Sequence, residues 1–386
     1  MGSPTPGLTP LGVFEFCCRP VPQRFGATQY SEFVALAERV DRATEVLPIQ
    51  SAAQLQLQVS GATEEGFRFT EQGFLQLARV IGPGLGQFLR DLASQPRTTA
   101  AVKRRPAGGY ARQVWNDLVH VRLQDLREQG LQLVRDTASR LLIGVVSGQY
   151  HCFGPNSLVT SAASVLQDSP CEFYAAQMTG LDTQVWYRHR ESQHRRMVLG
   201  DEWQIREGWY FASGDMSKSS ARATRVLFSR YGSCLAPYPK YGRRLLHVSG
   251  TFDTRWLAAI RGMVTSGVVL PPVLPTDQLL KPLGFSTCLT QKDRRRLRTR
   301  WRTALQRCSL PKDVANGIIS QALQLGGHCR QPELPSEYVT WGSRTMYDLL
   351  LTLLSTSLSL PAAKREAAEQ VAFYVLTGGL RLPGGE

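Results

Sequence analysis

The sequence predicts an α+β protein with a helix-rich N-terminal part, a central and mainly antiparallel sheet, and a basic helical C-terminal part. Three observations carry this. Early in the chain, apolar residues recur near the 3.6-residue period, as at Phe33, Leu36, Ala37 and Val40. Between Leu141 and Val248, short apolar or alternating runs follow one another across turn-forming residues. From Leu297 the helical period returns and holds to the C-terminus.

The elements follow in order. Residues 1–27 are rich in proline and glycine and read as an extended arm. The first helical pattern, from Ser31, includes Leu47 and is closed by Pro48. Residues 54–59 alternate strictly, with Leu55, Leu57 and Val59 against three glutamines, which predicts a half-buried strand paired with residues 67–69. Thr70 opens a helix carrying Phe74, Leu77, Ala78 and Ile81 on one face, and Gly82-Pro83-Gly84 breaks it. A short helix over 87–93, a basic loop over 103–109 and a long amphipathic helix over 110–129 come next, the last ended by Gly130.

Residues 141–146 form a continuous apolar run, as a buried strand does. A helix over 155–165 precedes strands at 171–178, 183–189, 205–212, 224–233 and 243–248, and another helix covers 252–264 with Asp253 near its cap. Three prolines within 268–275 mark a boundary. The expected units are therefore an arm (1–27), an α+β domain with the central sheet (28–267) and a basic helical domain (276–386). In the last, Thr290 and Asp293 resemble a capping pair, and Leu297, Trp301 and Leu305 line one helical face. Helices between Pro311 and Gly326, over 338–358 and over 362–376 complete it.

Composition bounds the function. The chain has 386 residues, 42% hydrophobic and 20% charged, which supports a core and excludes wholesale disorder. Eight cysteines without CxxC spacing exclude a disulfide scaffold and read as reduced thiols. No apolar run reaches the roughly 18–20 residues that span a bilayer, and no secretory signal opens the chain. The expectation is a cytoplasmic protein with no membrane partner. The formal net charge is +14, a balance that suits a polyanion. Residues 1–150 carry only +3 of it, so most of the excess lies beyond them.

Three basic stretches stand out. Residues 281–310 hold nine basic side chains and one acid, and the helical spacing sets the arginines apart from the apolar stripe. Arginine forks on such a face can hold successive phosphates without reading sequence. Residues 216–252 hold Lys218, Arg222, Arg225, Arg230, Lys240, Arg243 and Arg244 with no acid and with interleaved aromatics, a pattern suited to stacked bases and their backbone. A third cluster gathers Arg188, His189, Arg190, His194, Arg195 and Arg196 in a polar hairpin-like loop. Solvated faces and ordinary core aromatics are the competing readings. Enzymatic patterns are weak: there is no phosphate-binding GxxxxGK[ST] loop and no HExxH, and Asp215 and Lys218 near Glu202 and Glu207 lack the acid-x-lysine arrangement of a nuclease.

Four segments resemble the phage/plasmid-like proteins that carry the domain of unknown function 932. They are Phe69 to Gly82 with Phe88-Leu89-Arg90-Asp91-Leu92, Arg140 to Tyr150, Gly208 to Asp215 continuing through Arg225 to Cys234, and Thr340-Trp341-Gly342. The resemblance spans about residues 65–355. The chain departs from it where Leu235-Ala236 follow Cys234 and where Asn-Ala does not follow Trp341-Gly342. It implies a mobile-element origin and a mixed α+β fold, and it brings no catalytic residues.

The sequence thus predicts a non-enzymatic nucleic-acid-binding protein of a phage, plasmid or integrated element, acting on single strands in replication or recombination, with DNA favoured over RNA. Arg225, Arg243, Arg244, Arg295, Arg298 and Arg302 are the expected phosphate ligands, and Tyr231 and Tyr241 the expected stacking rings. No cofactor, metal ligand or catalytic residue is expected. The alternatives are a structural protein that docks an acidic partner or associates with itself, and a metal-dependent nuclease.

Overall fold

The computed structural model describes residues 8–11, 14–94, 109–192, 194–198, 201–214, 220–247, 251–280, 291–308, 310–324, 346–360 and 362–380. The proline-rich start of the chain has few hydrogen-bond donors to spare, yet it pairs. Strands β1 (Leu8–Leu11) and β2 (Phe14–Pro20) form an antiparallel ribbon, and β2 buries Cys17 and Cys18. The described residues of the expected arm, 8–11 and 14–26, are therefore extended but built into sheets. β3 (Gln23–Gly26) leads to helix α1 (Tyr30–Ala43), which buries Phe33 and Ala37. The helical pattern ends earlier than expected, because residues from Thr44 leave it as β4 (Thr44–Pro48).

β5 (Arg68–Thr70) is followed by α2 (Glu71–Ile81), capped as predicted: Thr70 Oγ1 accepts from the Gly73 amide at 3.0 Å and donates to the Ile143 carbonyl at 3.0 Å. Gly73 is required there, since a Cβ would lie 2.7 Å from that same carbonyl oxygen. α3 (Leu85–Ser94) and α4 (Gly109–Glu128) follow, then β6 (Leu131–Asp136) and β7 (Leu141–Ser147). The six strands run in the order β1-β2-β5-β7-β6-β4, with β5 parallel to both neighbours. Phe69, Phe74 and Trp115 meet in the core under α2 to α4, with Phe74 and Trp115 centroids 4.5 Å apart.

The strand expected at 54–59 is absent. A 3-10 turn covers Ala52–Gln54, and beyond it only an isolated Leu57–Thr63 bridge forms. Side chains of α4 take the ladder's place. Asn116 accepts from the Leu57 amide at 2.7 Å and donates to its carbonyl at 2.9 Å, and Trp115 Nε1 donates to the Leu55 carbonyl at 3.0 Å. Burying Leu55 and Leu57 needs satisfied backbone groups, and side chains serve as well as a neighbouring strand. The segment expected as its partner, β5, pairs instead with β2 and β7.

Helix α5 (Pro155–Leu166) starts at Gly154, which has no side chain to cap it; Asp41 of α1 serves, its Oδ2 accepting from the Asn156 amide at 3.0 Å. The second sheet is an antiparallel meander. It comprises β8 (Cys171–Thr179), β9 (Asp182–His189), β10 (His194–Val198), β11 (Asp201–Ser213), β12 (Ala221–Ser229), β13 (Gly232–Leu235) and β14 (Gly242–Leu245), with β3 at one edge. The single strand expected over 224–233 is a hairpin, β12 turning at Arg230-Tyr231 into β13. β13 and β14 pair with successive halves of β12.

Alternate residues of this sheet serve two sides. Val185, Tyr187, Trp209, Phe211 and Ala223 pack with α1, α5 and α6 (Phe252–Thr265) around Phe33, Leu158 and Trp256. Trp186, Tyr210, Ala212, Val226 and Phe228 form a cluster on the other side. The remaining helices are α7 (Thr276–Leu279), α8 (Gln291–Arg307), α9 (Lys312–Gln324), α10 (Met346–Ser357) and α11 (Ala362–Leu376). As predicted, Trp301 and Leu305 of α8 are buried. Their core also contains Trp203, Ile205, Leu227 and Cys234 of the sheet. The segment 268–275 is packed as well, with Leu270 and Val273 buried and the Leu274 amide bonded to the Leu376 carbonyl at 2.9 Å. The C-terminal helices therefore share a core with the sheet. The fold is α+β.

Candidate nucleic-acid interface

The second sheet carries arginines along its whole length, and their surroundings differ. On β12, Arg222 and Arg225 point to opposite faces. Arg222 Nη1 meets Glu366 Oε2 of α11 at 2.6 Å, with both side chains nearly buried. Glu366 also accepts from Tyr210 Oη at 2.5 Å; burial, and then that carboxylate, hold the Tyr210 phenol well above its usual range, so it stays a donor. Arg225 pairs with Glu207 of the adjacent strand β11 and lies 4.8 Å over the Trp209 ring. Both arginines are structural ions, and Arg225, an expected phosphate ligand, is committed to a carboxylate.

The expected stacking rings are occupied too. Tyr241 is buried, 5.8 Å from Phe373 in the C-terminal core, with Lys240 over its ring. It offers no face to a base: its ring shares the core of α11 and β13, and burial of an aromatic ring is worth about 1.5–3 kcal/mol. Tyr231 packs against Trp203 at 5.3 Å, and the Arg230 guanidinium lies over its ring at 4.7 Å.

Arg243 and Arg244 are exposed on β14. Successive strand residues face opposite ways, and the register sets Arg244 beside Arg222 and Arg243 beside Ala223. Arg244 lies 4.3 Å over Tyr238. On α8, Arg295 and Arg298 are exposed and Arg302 is half-buried. Arg302 Nε donates to Asn316 Oδ1 at 2.7 Å and Arg298 Nη2 to Ser320 Oγ at 3.4 Å, both on α9. These partners are neutral, so each guanidinium keeps its charge. The other basic residues of 281–294, together with Asp215, Lys218, Thr290 and Trp341-Gly342, lie outside the residues whose side chains are described.

Of the third cluster, expected in a loop, Arg188 and His189 lie on β9 and His194, Arg195 and Arg196 on β10, with Arg190 between the strands, and Arg188 opens on a groove of about 340 Å³ at the end of the sheet. Arg188, Arg206 and Arg230 line it, with Tyr174 and Phe228 as its apolar part. Glu202, Gln204 and Ser229 complete it. Pairing explains the convergence. Arg206 sits opposite Phe228, Gly208 opposite Arg188, and Arg195 of β10 opposite Gln204, so all occupy one side of the sheet. Arg188 lies 4.6 Å over Tyr174 and reaches Glu172 at 3.3 Å. Arg206 Nη1 donates to the Arg190 carbonyl at 2.9 Å, and Arg230 Nη2 to Tyr231 Oη at 2.6 Å. Tyr174 stands edge-on to Phe228 at 4.9 Å. Of the expected site residues none lines this groove; Arg244 is six residues away along β12, about 20 Å. Tyr174 and Arg206 carried no sequence signal, because only strand register brings them beside Arg188.

Among the described residues no group of three or more His, Cys, Asp or Glu gathers to hold a metal, and no helix is long and apolar enough to cross a membrane. Burial pushes the thiols of Cys17 and Cys234 up, and that of Cys152 to about 11, so they stay protonated at neutral pH. Comparison of the chain with protein-family models, with curated proteins and with solved structures gives no match.

Proposed function

We propose that this protein binds nucleic acid without acting on it chemically, through the arginine-lined groove of the second sheet, with the exposed arginines of α8 adding phosphate contacts. The observation that carries the reading is the grouping of Arg188, Arg206 and Arg230 around one groove beside Tyr174, with Arg195 on the same side of the sheet. Arg206 holds a neutral partner there, the Arg190 carbonyl, so its charge is available to a polyanion. Guanidinium forks fit phosphate oxygens, and aromatic rings between them suit bases. A net charge of +14 adds long-range attraction. The resemblance to phage/plasmid-like proteins agrees with a mobile-element setting and with work in replication or recombination, with DNA as the favoured ligand.

The test is fluorescence anisotropy of labelled oligonucleotides against the full chain across a salt series. Binding is expected at low salt, with log K falling linearly in log salt by about 0.7–0.9 per phosphate contacted. Absence of binding at low salt ends the reading. Retention of an acidic protein after nuclease treatment, with no oligonucleotide binding, would favour the docking alternative.

A further inference from the structure

We infer that the groove is a slot for one unpaired nucleotide, so that the protein prefers single strands to duplex; this rests on the nucleic-acid reading above. A concave pocket of about 340 Å³ is at the small end of ligand sites, which run roughly 300–1,000 Å³, and it takes one small ligand rather than a helix. In a duplex the base edges lie recessed in the grooves and are read by elements that protrude into them. A recessed surface on a sheet cannot do this. A base reaches it only when it is splayed from its neighbours, as single-strand recognition requires.

The chemistry of the walls is divided accordingly. Arg206 and Arg230 stand at the rim, the first partly exposed and the second exposed, where they meet a phosphate. Tyr174 is half-buried, backed by the buried Phe228, and the Arg188 guanidinium lies over its ring. Arg188, which lines the groove and is held over the Tyr174 ring, thus presents the planar guanidinium against which a base face can lie, with Tyr174 setting its orientation. Glu202, exposed within the same lining, repels a second phosphate and leaves the interior to the uncharged base. A simple phosphate-binding patch would need no aromatic wall and would gain nothing from this carboxylate.

The experiment compares anisotropy titrations of one labelled sequence as single-stranded DNA, single-stranded RNA and duplex DNA with the full chain, native and as Tyr174→Leu. The native chain is expected to bind a single strand about tenfold or more tighter than duplex, and Tyr174→Leu to lose most of that margin while duplex binding stays unchanged. Circular dichroism and the unfolding midpoint check that the variant folds. Independently of any variant, ultraviolet cross-linking of a halogenated-base oligonucleotide is expected to label the peptide containing Tyr174 or that containing Phe228. Equal affinity for single strand and duplex, or cross-links confined to α8, overturns the slot while the nucleic-acid reading stands. Loss of binding to every oligonucleotide overturns both. The DNA and RNA arms show whether the sugar matters.

Discussion

The middle of the second sheet and its open end carry the same side chains and do opposite things with them. In the middle, Arg222 and Arg225 are neutralised by Glu366 and Glu207 and serve the packing. At the end, Arg206 and Arg230 bond to a carbonyl and a phenol, and Arg188 is shared between Glu172 and the Tyr174 ring. An arginine on a strand is therefore not a ligand site by residue type. It becomes one where, as at Arg206, the group delivered to it is a neutral carbonyl at the rim of a groove rather than a buried carboxylate.

The largest effect is expected in the middle. Glu366→Ala leaves Arg222 buried with its charge unmatched, and is expected to cost about 3–5 kcal/mol of stability in urea unfolding. The double replacement Arg222→Met with Glu366→Leu is expected to recover most of that loss, since an apolar pair of similar volume avoids the desolvation cost of both ions. A loss below about 1 kcal/mol for the single variant would place this pair with ordinary surface ion pairs and erase the contrast.

Next in size is Gly208→Ala, at the join of the two regions. A Cβ there lies 2.1 Å from the Tyr187 carbonyl oxygen and 2.7 Å from the Phe228 ring, so strand or ring must shift. The expected cost is about 1–3 kcal/mol, with weaker oligonucleotide binding because Phe228 backs the groove. Unchanged stability together with unchanged binding contradicts the packing described.

The sharpest contrast is smaller in energy. Arg206→Gln is expected to leave stability within about 0.5 kcal/mol and to lower the salt slope of binding by about 1. Arg225→Gln is expected to do the reverse, losing stability and leaving the slope alone. If Arg225→Gln flattens the slope and Arg206→Gln does not, the open and closed halves have been assigned the wrong way round.

The smallest net effect comes from two buried groups outside both regions. Burial raises Asp41 from 3.8 to about 6, so between about pH 4 and 6 the folded state holds a proton that the unfolded state has lost, and this contribution to stability falls as pH rises. Burial lowers His247 from 6.5 to about 4, so over about pH 4 to 6.5 the unfolded state holds the extra proton and stability rises with pH. The two oppose each other in nearly one window. Relative to the native chain, Asp41→Asn should make the urea midpoint climb more steeply between pH 4 and 6, and His247→Phe should make it climb less or fall. The same slope in all three proteins rejects both assignments.

How far the sequence could be read varies with the range of the interaction. The α2 start at Thr70 and the end of α4 at Gly130 were readable because a cap hydroxyl and a glycine at φ 62° act on their own neighbours. The pattern at 54–59 misled because Asn116 and Trp115, 59 and 60 residues away, hold its backbone. At the site, the cluster around Arg188 was visible as charge, whereas Tyr241 read as a stacking ring on local context alone and is core because Phe373 comes to it.

What the sequence determined by itself is the α+β alternation of periods, the position of most helices and strands, the buried stripe of Trp301 and Leu305 on α8, and the placing of most of the excess positive charge beyond residue 150. Only the tertiary structure decided which arginines are spent on carboxylates and which line a groove. The reason is physical: periodicity and capping are set within a few residues, while charge pairing depends on which strand lies beside which and on where α11 sets Glu366 down.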